Sequence, residues 1–289
     1  MRVALLLIFV LIAFAGNSVL ARYALSSDAI GPWGFSLIRF VSGAAMLLIL
    51  VRPAISWPAG RWRAAIALCG YGVFFSFAYL ELAAGTGALL LFASVQLTML
   101  AAAFSLGERL SRVQIFGLFL AVGGLIYLLA PGALAPSPIG AALMVLSGVG
   151  WGVYSVMGKS TENNIEDPVA RTTGHFSRAA ILLVITTPIL LIILPENHPK
   201  PAGIGFAVLS GTVTSGLGYA LWYSVLRHIS VTTAAISQLS VPVIAAIGGA
   251  VFIFEPVTWA FATACGVVLF GVGLATISAP RSKLSPSSD

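Results

Sequence analysis

The sequence predicts an all-α membrane protein, with ten transmembrane helices arranged as two inverted-topology five-helix repeats around a central cavity. Three observations lead there. Of the 289 residues, 59% are hydrophobic and only 8% are charged, whereas a soluble domain carries about 25% charged residues. Apolar windows follow one another with short turns between them, each of the roughly 20 residues needed to cross a hydrocarbon core. The chain is also duplicated: 104–132 (FSLGERLSRVQIFGLFLAVGGLIYLLAPG) returns without a gap as 251–279 (VFIFEPVTWAFATACGVVLFGVGLATISA). At that offset of 147, Glu108 falls on Glu255, Gly117 on Ala264 and Gly124 on Gly271. An internal repeat bears on the architecture before any local feature does.

In order, the spans are expected at 3–21, 33–51, 64–82, 87–106, 113–130, 138–157, 174–194, 203–226, 232–254 and 258–278. The first opens behind Arg2 and faintly resembles a signal peptide, but with nine more spans behind it, it reads as a membrane helix. The third and fourth are the hardest to separate. The apolar run 64–106 is 43 residues long with Glu81 as its only charge, and Gly85-Thr86-Gly87 offers the turn. The fifth leaves the charged turn at Glu108-Arg109 and ends at Pro131-Gly132. Residues 1–132 then form the first repeat, 138–280 the second, and 281–289 a polar cytoplasmic tail. Cys69 and Cys265 fall inside apolar spans and form no CxxC or metal-ligand cluster, so they read as small buried hydrophobes.

The net charge of +6 and pI near 9.7 would suggest a nucleic-acid partner in a soluble chain. Here the charges sit in the turns and report membrane orientation instead. With the N-terminus in the cytoplasm, the inner segments hold eleven Lys and Arg residues, from Arg2 to Lys283, and the outer turns hold two, Arg22 and Lys200. The expected topology is therefore N-in and C-in, in the plasma (bacterial inner) membrane. Because five is odd, the two repeats enter the membrane from opposite sides, the inverted plan of many secondary transporters. The first helices of the repeats agree: offset by 137, Phe14 falls on Trp151, Asn17 on Tyr154, Ser18 on Ser155 and Arg22 on Lys159. In the second helices, Pro32-x6-Arg39 is echoed by Pro168-x6-His175.

The start of each repeat ending in Arg22 or Lys159, the Arg39 of the second span, the LGERLSRVQIFG turn and the 5+5 layout together resemble the drug/metabolite transporter superfamily, with the EamA-type exporters as the closest group. The resemblance covers essentially the whole chain. It implies a carrier, and within the family the size and compactness suggest a YddG-like amino-acid exporter. One departure stands out: the proline common in the fourth span of the family is absent around Val95-Gln96, while Pro242 stands at the related place in the ninth. The two halves are not expected to bend alike.

Charged groups inside a bilayer cost roughly 2.5–3.5 kcal/mol on insertion scales and usually face a cavity or a partner. Glu81, the one carboxylate inside an expected span, is a candidate for a substrate amine or a proton, or else an interfacial acid paired with Arg39. Arg39 is a candidate for a substrate carboxylate, or a side chain that snorkels outward. His175 is a proton-titrating candidate, whereas Arg178 marks the membrane interface. Trp151, Tyr154 and Ser155 share one helical face, Phe14, Asn17 and Ser18 mirror it, and Tyr219, Trp222 and Tyr223 repeat the spacing. With Tyr79, Gln96 and Gln238 these offer rings for an apolar body and polar groups to orient it, as a metabolite cavity requires. The plainer alternative is belt aromatics and interhelical hydrogen bonds. The substrate-binding set expected is thus Asn17, Arg39, Tyr79, Glu81, Gln96, Trp151, Tyr154, His175, Trp222 and Gln238.

Gly117, Ala121 and Gly124 share a face, as do Ala264, Val268 and Gly271, and small residues at that spacing let helices approach closely. Spans five and ten are expected to pack at the edge of the bundle, away from substrate. Ser215-Gly216 lacks the motif of a membrane serine protease, and three scattered histidines cannot form a catalytic metal site. No filter loop suggests a channel, and no P-loop suggests ATP. The expectation is a carrier and not an enzyme, without cofactor, nucleic acid or ATP, monomeric or dimeric, with membrane lipid and a small amphipathic molecule as partners. That molecule is an amino acid or a similar metabolite; a nucleoside, sugar or drug-like cation stays open.

Overall fold

The computed structural model describes residues 2–51, 61–105, 107, 111–130, 136–159, 167–226, 228–229 and 237–277. The turn at Glu108-Arg109, Arg52, Arg227, the side chains of Lys159 and Tyr223, and the tail lie outside the described residues. The elements are α1 (Arg2–Ser26), α2 (Pro32–Leu50), α3 (Trp62–Ala78), α4 (Ala84–Ser105), α5 (Arg112–Leu129), α6 (Pro138–Lys159), α7 (Pro168–Ile193), α8 (Pro201–Leu209), a π-helical segment (Ser210–Leu217), α9 (Gly218–Leu226), α10 (Val241–Phe252) and α11 (Trp259–Ile277). The segment from α8 through the π turn to α9 is one continuous rod and counts as the eighth span. Among the described residues eight helices are long and apolar enough to cross a membrane, and α3 and α10 are shorter apolar helices.

Local chemistry sets the helix starts. Pro32, Pro168 and Pro201 stand in the first turns of α2, α7 and α8, where a missing N–H costs nothing and the fixed φ suits a helix. At α5, Ser111 Oγ accepts from Gln114 N at 3.2 Å and Gln114 Oε1 accepts from Ser111 N at 2.8 Å, a reciprocal cap.

Two boundaries differ from expectation. The chain turns between α3 and α4 at residues 79–83, and Gly85, Thr86 and Gly87 already lie in α4. Those glycines serve packing: a Cβ on Gly85 would meet Ala246, and one on Gly87 would strike the Tyr79 ring. Glu81 therefore sits in an exposed turn, outside any helix. α7 starts at Pro168, so His175 and Arg178 lie well inside it, both buried. Arg178 Cζ lies 5.6 Å from the centre of the ring of Trp62, the first residue of α3. The asymmetry foreseen for Pro242 is present: α4 runs unbroken through Val95, while the chain turns at Leu239-Ser240 and α10 begins only at Val241, with Pro242 in its first turn.

The packing repeats itself across the two halves. α1 lies against the π segment and α9, as α6 lies against α3; α1 packs on α10, as α6 packs on α4. Three helices meet their own repeat counterparts: α2 meets α7, α4 meets α10 and α5 meets α11. Contacts of that kind place a pseudo-two-fold axis through the bundle. At α5–α11, Gly117 lies against the Gly271 carbonyl, and a Cβ on Gly271 would come within 2.6 Å of Ala121 N. The small residues of these two helices are used against each other within one chain.

Candidate functional site

The site is organised by the π segment. A wider turn adds a residue to the helix and is frequently found at functional positions. Here it aims three hydroxyls at the first half. Ser210 Oγ donates to Asn17 Oδ1 at 2.6 Å and Thr214 Oγ1 donates to the same oxygen at 3.2 Å. Ser215 Oγ accepts from Arg39 Nε at 3.1 Å. The segment reaches α2 this closely because Gly211 presses against Ser42 Oγ and the Arg39 carbonyl, where a Cβ would collide.

Arg39 is 1% exposed and does not snorkel. Its Nη2 donates to Tyr71 Oη at 3.0 Å, and its Cζ lies 4.8 Å from the Phe75 ring centre and 5.3 Å from that of Tyr71. The rings supply part of the electrostatic stabilisation that water would otherwise give. Nη1 has no hydrogen-bond partner among the described residues.

In front of this cluster is a central cavity of about 30 Å³, lined by Phe14, Asn17 and Ser18 of α1, Tyr71 and Phe75 of α3, Leu91, Phe92 and Val95 of α4, Trp151 of α6, Thr214, Tyr219 of α9, and Gln238. Both halves contribute to its wall. Its aromatic side is continuous: Tyr71 and Trp151 have ring centres 4.9 Å apart, and Trp151 stacks on Tyr219 at 5.0 Å and 22°. So small a volume holds no more than a couple of waters.

Of the residues singled out from sequence, Asn17, Trp151 and Gln238 line the cavity and Arg39 stands one layer behind it. Tyr154 and His175 form a second layer behind Trp151: Tyr154 is 5.4 Å from the Trp151 ring, and its hydroxyl lies 3.2 Å from His175 Nδ1. Trp222 packs edge-on against Phe14 at 5.7 Å. Tyr79 is fully buried between α3 and α4, its hydroxyl on the Ala84 carbonyl. Gln96 is half-buried and off the cavity wall. Glu81 is remote from Arg39's partners and lines a separate hollow of about 610 Å³ at one end of the bundle, with Arg22, Thr86 and Glu255. Sequence inspection passed over Tyr71 and Thr214. The signals were a tyrosine between two glycines in mid-span and the hydroxyl-rich run TVTSG.

That end, called here the Glu255 end, is tied across the two halves. Arg22 Nε donates to Glu255 Oε1 at 2.8 Å while its Nη1 reaches the Leu80 carbonyl at 2.8 Å, and Glu255 Oε2 accepts from Ala84 N at 2.8 Å. Glu196 accepts from Trp33 N and Gly34 N at 2.7 and 2.9 Å. Two carboxylates of the second half thus sit at the N-termini of α4 and α2, where the helix dipole favours negative charge. Lys200 N also donates to the Ala29 carbonyl at 2.8 Å. Among the described residues no three His, Cys, Asp or Glu side chains group as a metal site.

Comparison with known proteins agrees with this architecture. A solved crystal structure superposes with a TM-score of 0.64 at 20% identity, covering 96% of this chain and 99% of that one; at that identity it shows a common fold. An uncharacterized protein of Pseudomonas aeruginosa is 46% identical over 285 residues, covering 97% of this chain and 96% of its own. A protein of Streptantibioticus cattleyicolor described as a probable terminal-alkyne amino-acid exporter is 28% identical over 240 residues, or 79% of this chain and 78% of its own. An uncharacterized transporter of Archaeoglobus fulgidus is 24% identical over 252 residues, or 84% and 88%. The model of the EamA-like transporter family matches residues 1–130 and again 138–277. With that model matching both halves and relatives named as transporters, this chain is a small-molecule carrier and not an enzyme, and it belongs to the EamA-like transporter family.

Proposed function

We propose that this chain exports an amino acid, an aromatic one foremost, across the bacterial plasma membrane by alternating access without ATP. The observation that carries this reading is the aromatic-walled mid-bundle cavity. Ring faces from Tyr71, Trp151 and Tyr219 share its lining with the amides of Asn17 and Gln238, a mixture suited to an apolar body with polar ends. The amino-acid exporter among the relatives supports the same substrate class.

A cavity of about 30 Å³ cannot hold an amino acid, so the two halves, 1–132 and 138–280, must part to admit one. In this reading the Glu255 end faces outward, the termini and the tail 281–289 lie in the cytoplasm, and the ties of Arg22, Glu255 and Glu196 keep the outer side shut. Opening outward breaks them and exposes the cavity between α1, α4 and α10. Glu81, on the rim of the outer hollow, and His175, behind Tyr154, are the candidates for proton coupling. The carrier works as a monomer or a dimer.

The test is counterflow in liposomes. Vesicles preloaded with one unlabelled amino acid at a time should take up labelled phenylalanine saturably. Absence of flux with every amino acid would sink the substrate assignment and direct attention to nucleosides, sugars and cations. If a pH gradient drives the flux, Glu81→Gln should abolish that dependence; its full retention removes Glu81 from coupling.

A further inference from the structure

The distribution of charge through the bundle is one-sided. Among the described residues no Asp or Glu falls within a membrane helix, whereas basic residues do, Arg39, Arg171, His175 and Arg178 among them. The described carboxylates Asp28, Glu81, Glu196 and Glu255 belong to the Glu255 end, and Asp167 precedes α7 at the other. A buried guanidinium ordinarily demands a carboxylate partner. Arg39, 1% exposed, has only hydroxyls and rings.

The cluster around Arg39 is also short of acceptors. Arg39 spends Nε on Ser215 and Nη2 on Tyr71, and Nη1 is left over. Tyr71 and Tyr219 both line the cavity. Since Tyr71 Oη accepts from Arg39 Nη2, its own O–H is left to donate. A hydroxyl polarised by a guanidinium in a low-dielectric interior is a strengthened donor. What complements a surplus of donors and one uncompensated positive charge is an anion.

We propose that the Arg39–Tyr71–Tyr219 cluster recognises an anionic group of the transported molecule, a carboxylate in the first instance, with a tyrosine hydroxyl touching it and Arg39 acting through that hydroxyl as a positioning residue. The inference rests on the transport reading above and sharpens it. The carrier selects monoanions and zwitterions and excludes molecules whose only charge is positive, because among the described residues no carboxylate in the helices can receive an ammonium group. For a zwitterion, the ammonium is left to Gln238 Oε1 and the ring faces.

The experiment compares matched pairs as competitors of flux by the full chain in liposomes: phenylalanine and phenylalaninamide, 3-phenylpropionate and phenethylamine, uridine monophosphate and uridine, gluconate and glucose. The acid of a recognised pair should compete at least about tenfold better than its partner, the scale of a hydrogen bond to a charged group. Tyr71→Phe or Tyr219→Phe should bring that ratio toward one, and Arg39→Lys should keep part of it where Arg39→Gln does not. A merely structural Arg39 would lower total flux and leave the ratio alone. Preference for the acid only in the nucleotide or sugar pair would overturn the amino-acid assignment and leave anion recognition standing. Preference for the neutral or cationic member in every recognised pair, or a ratio unmoved by both tyrosine variants, overturns anion recognition. Failure of every acid to compete overturns both.

Discussion

Phe40 and Phe176 meet ring to ring, centroids 5.2 Å apart, and each is the other's counterpart in the duplicated sequence. Equivalent residues touch only where the pseudo-two-fold axis passes, so this pair marks the axis between α2 and α7. The residues just before them, Arg39 and His175, are counterparts as well. Both are buried, and Arg39 Nη1 and His175 Nε2 are the two buried side-chain nitrogens without a partner among the described residues. Duplication has kept a polar, incompletely satisfied group at the same place in each half while changing its chemistry. The first half holds a permanent cation against Tyr71; the second holds a neutralisable ring against Tyr154.

The tie at Glu255 should govern access from its own end. Glu255→Gln removes an ion pair that is partly buried, with side chains 20% and 14% exposed, but keeps an oxygen for Ala84 N. A cysteine at Ser18, in a background lacking Cys69 and Cys265, should react several-fold faster with a membrane-impermeant thiol reagent in this variant. Unchanged labelling would mean the tie does not hold the end shut. Exchanging the charges, Arg22→Glu with Glu255→Arg, should restore the closed end only in part, because an arginine at 255 cannot accept from Ala84 N.

Asn17→Leu is expected to loosen the π segment. It strands the hydroxyl of Ser210, which donates to Asn17 Oδ1 at 2.6 Å, while Thr214 Oγ1 keeps the Ser210 carbonyl at 2.8 Å, at a cost of about 1–3 kcal/mol. The thermal midpoint in detergent should fall by several degrees and amide exchange should rise through 210–217. A protected π segment in the variant would show that Asn17 does not maintain it.

Gly271→Val should destabilise without touching selectivity. Its Cβ would meet backbone atoms, Ala121 N at 2.6 Å among them, so α5 and α11 must separate, at about 1–3 kcal/mol for overpacking. The midpoint should drop while the rank order of competing substrates stays the same. An altered rank order would place these helices closer to the substrate path than their packing indicates.

Phe254, immediately before Glu255, sits at φ 60° although it is not glycine, and its counterpart Gly107 sits at φ 88°. A bulky residue in the left-handed region costs roughly 1–2 kcal/mol. Phe254→Gly should therefore raise the midpoint modestly. A fall would mean that its exposed ring holds the loop in place through the membrane interface.

The amino-acid sequence by itself determined the class of this protein: ten apolar helices and their duplication. Each of these is a local property, written in hydropathy that needs no distant partner, and the duplication writes it twice. The sequence was ambiguous where a small residue has two uses. Gly85 and Gly87 look like a turn, but one clears space for Ala246 and the other for the Tyr79 ring, and a neighbour on another helix cannot be read from the residue itself. The same blindness placed Glu81 in a span and kept Arg22 from its partner Glu255, 233 positions away. Only the tertiary structure decided which polar residues share the cavity. It put Asn17, Tyr71, Trp151 and Gln238 on one wall and held Arg39 behind it, because that grouping depends on how four helices and a π turn cross, and crossing geometry is set by side-chain volumes on facing helices, not by any periodicity along one of them.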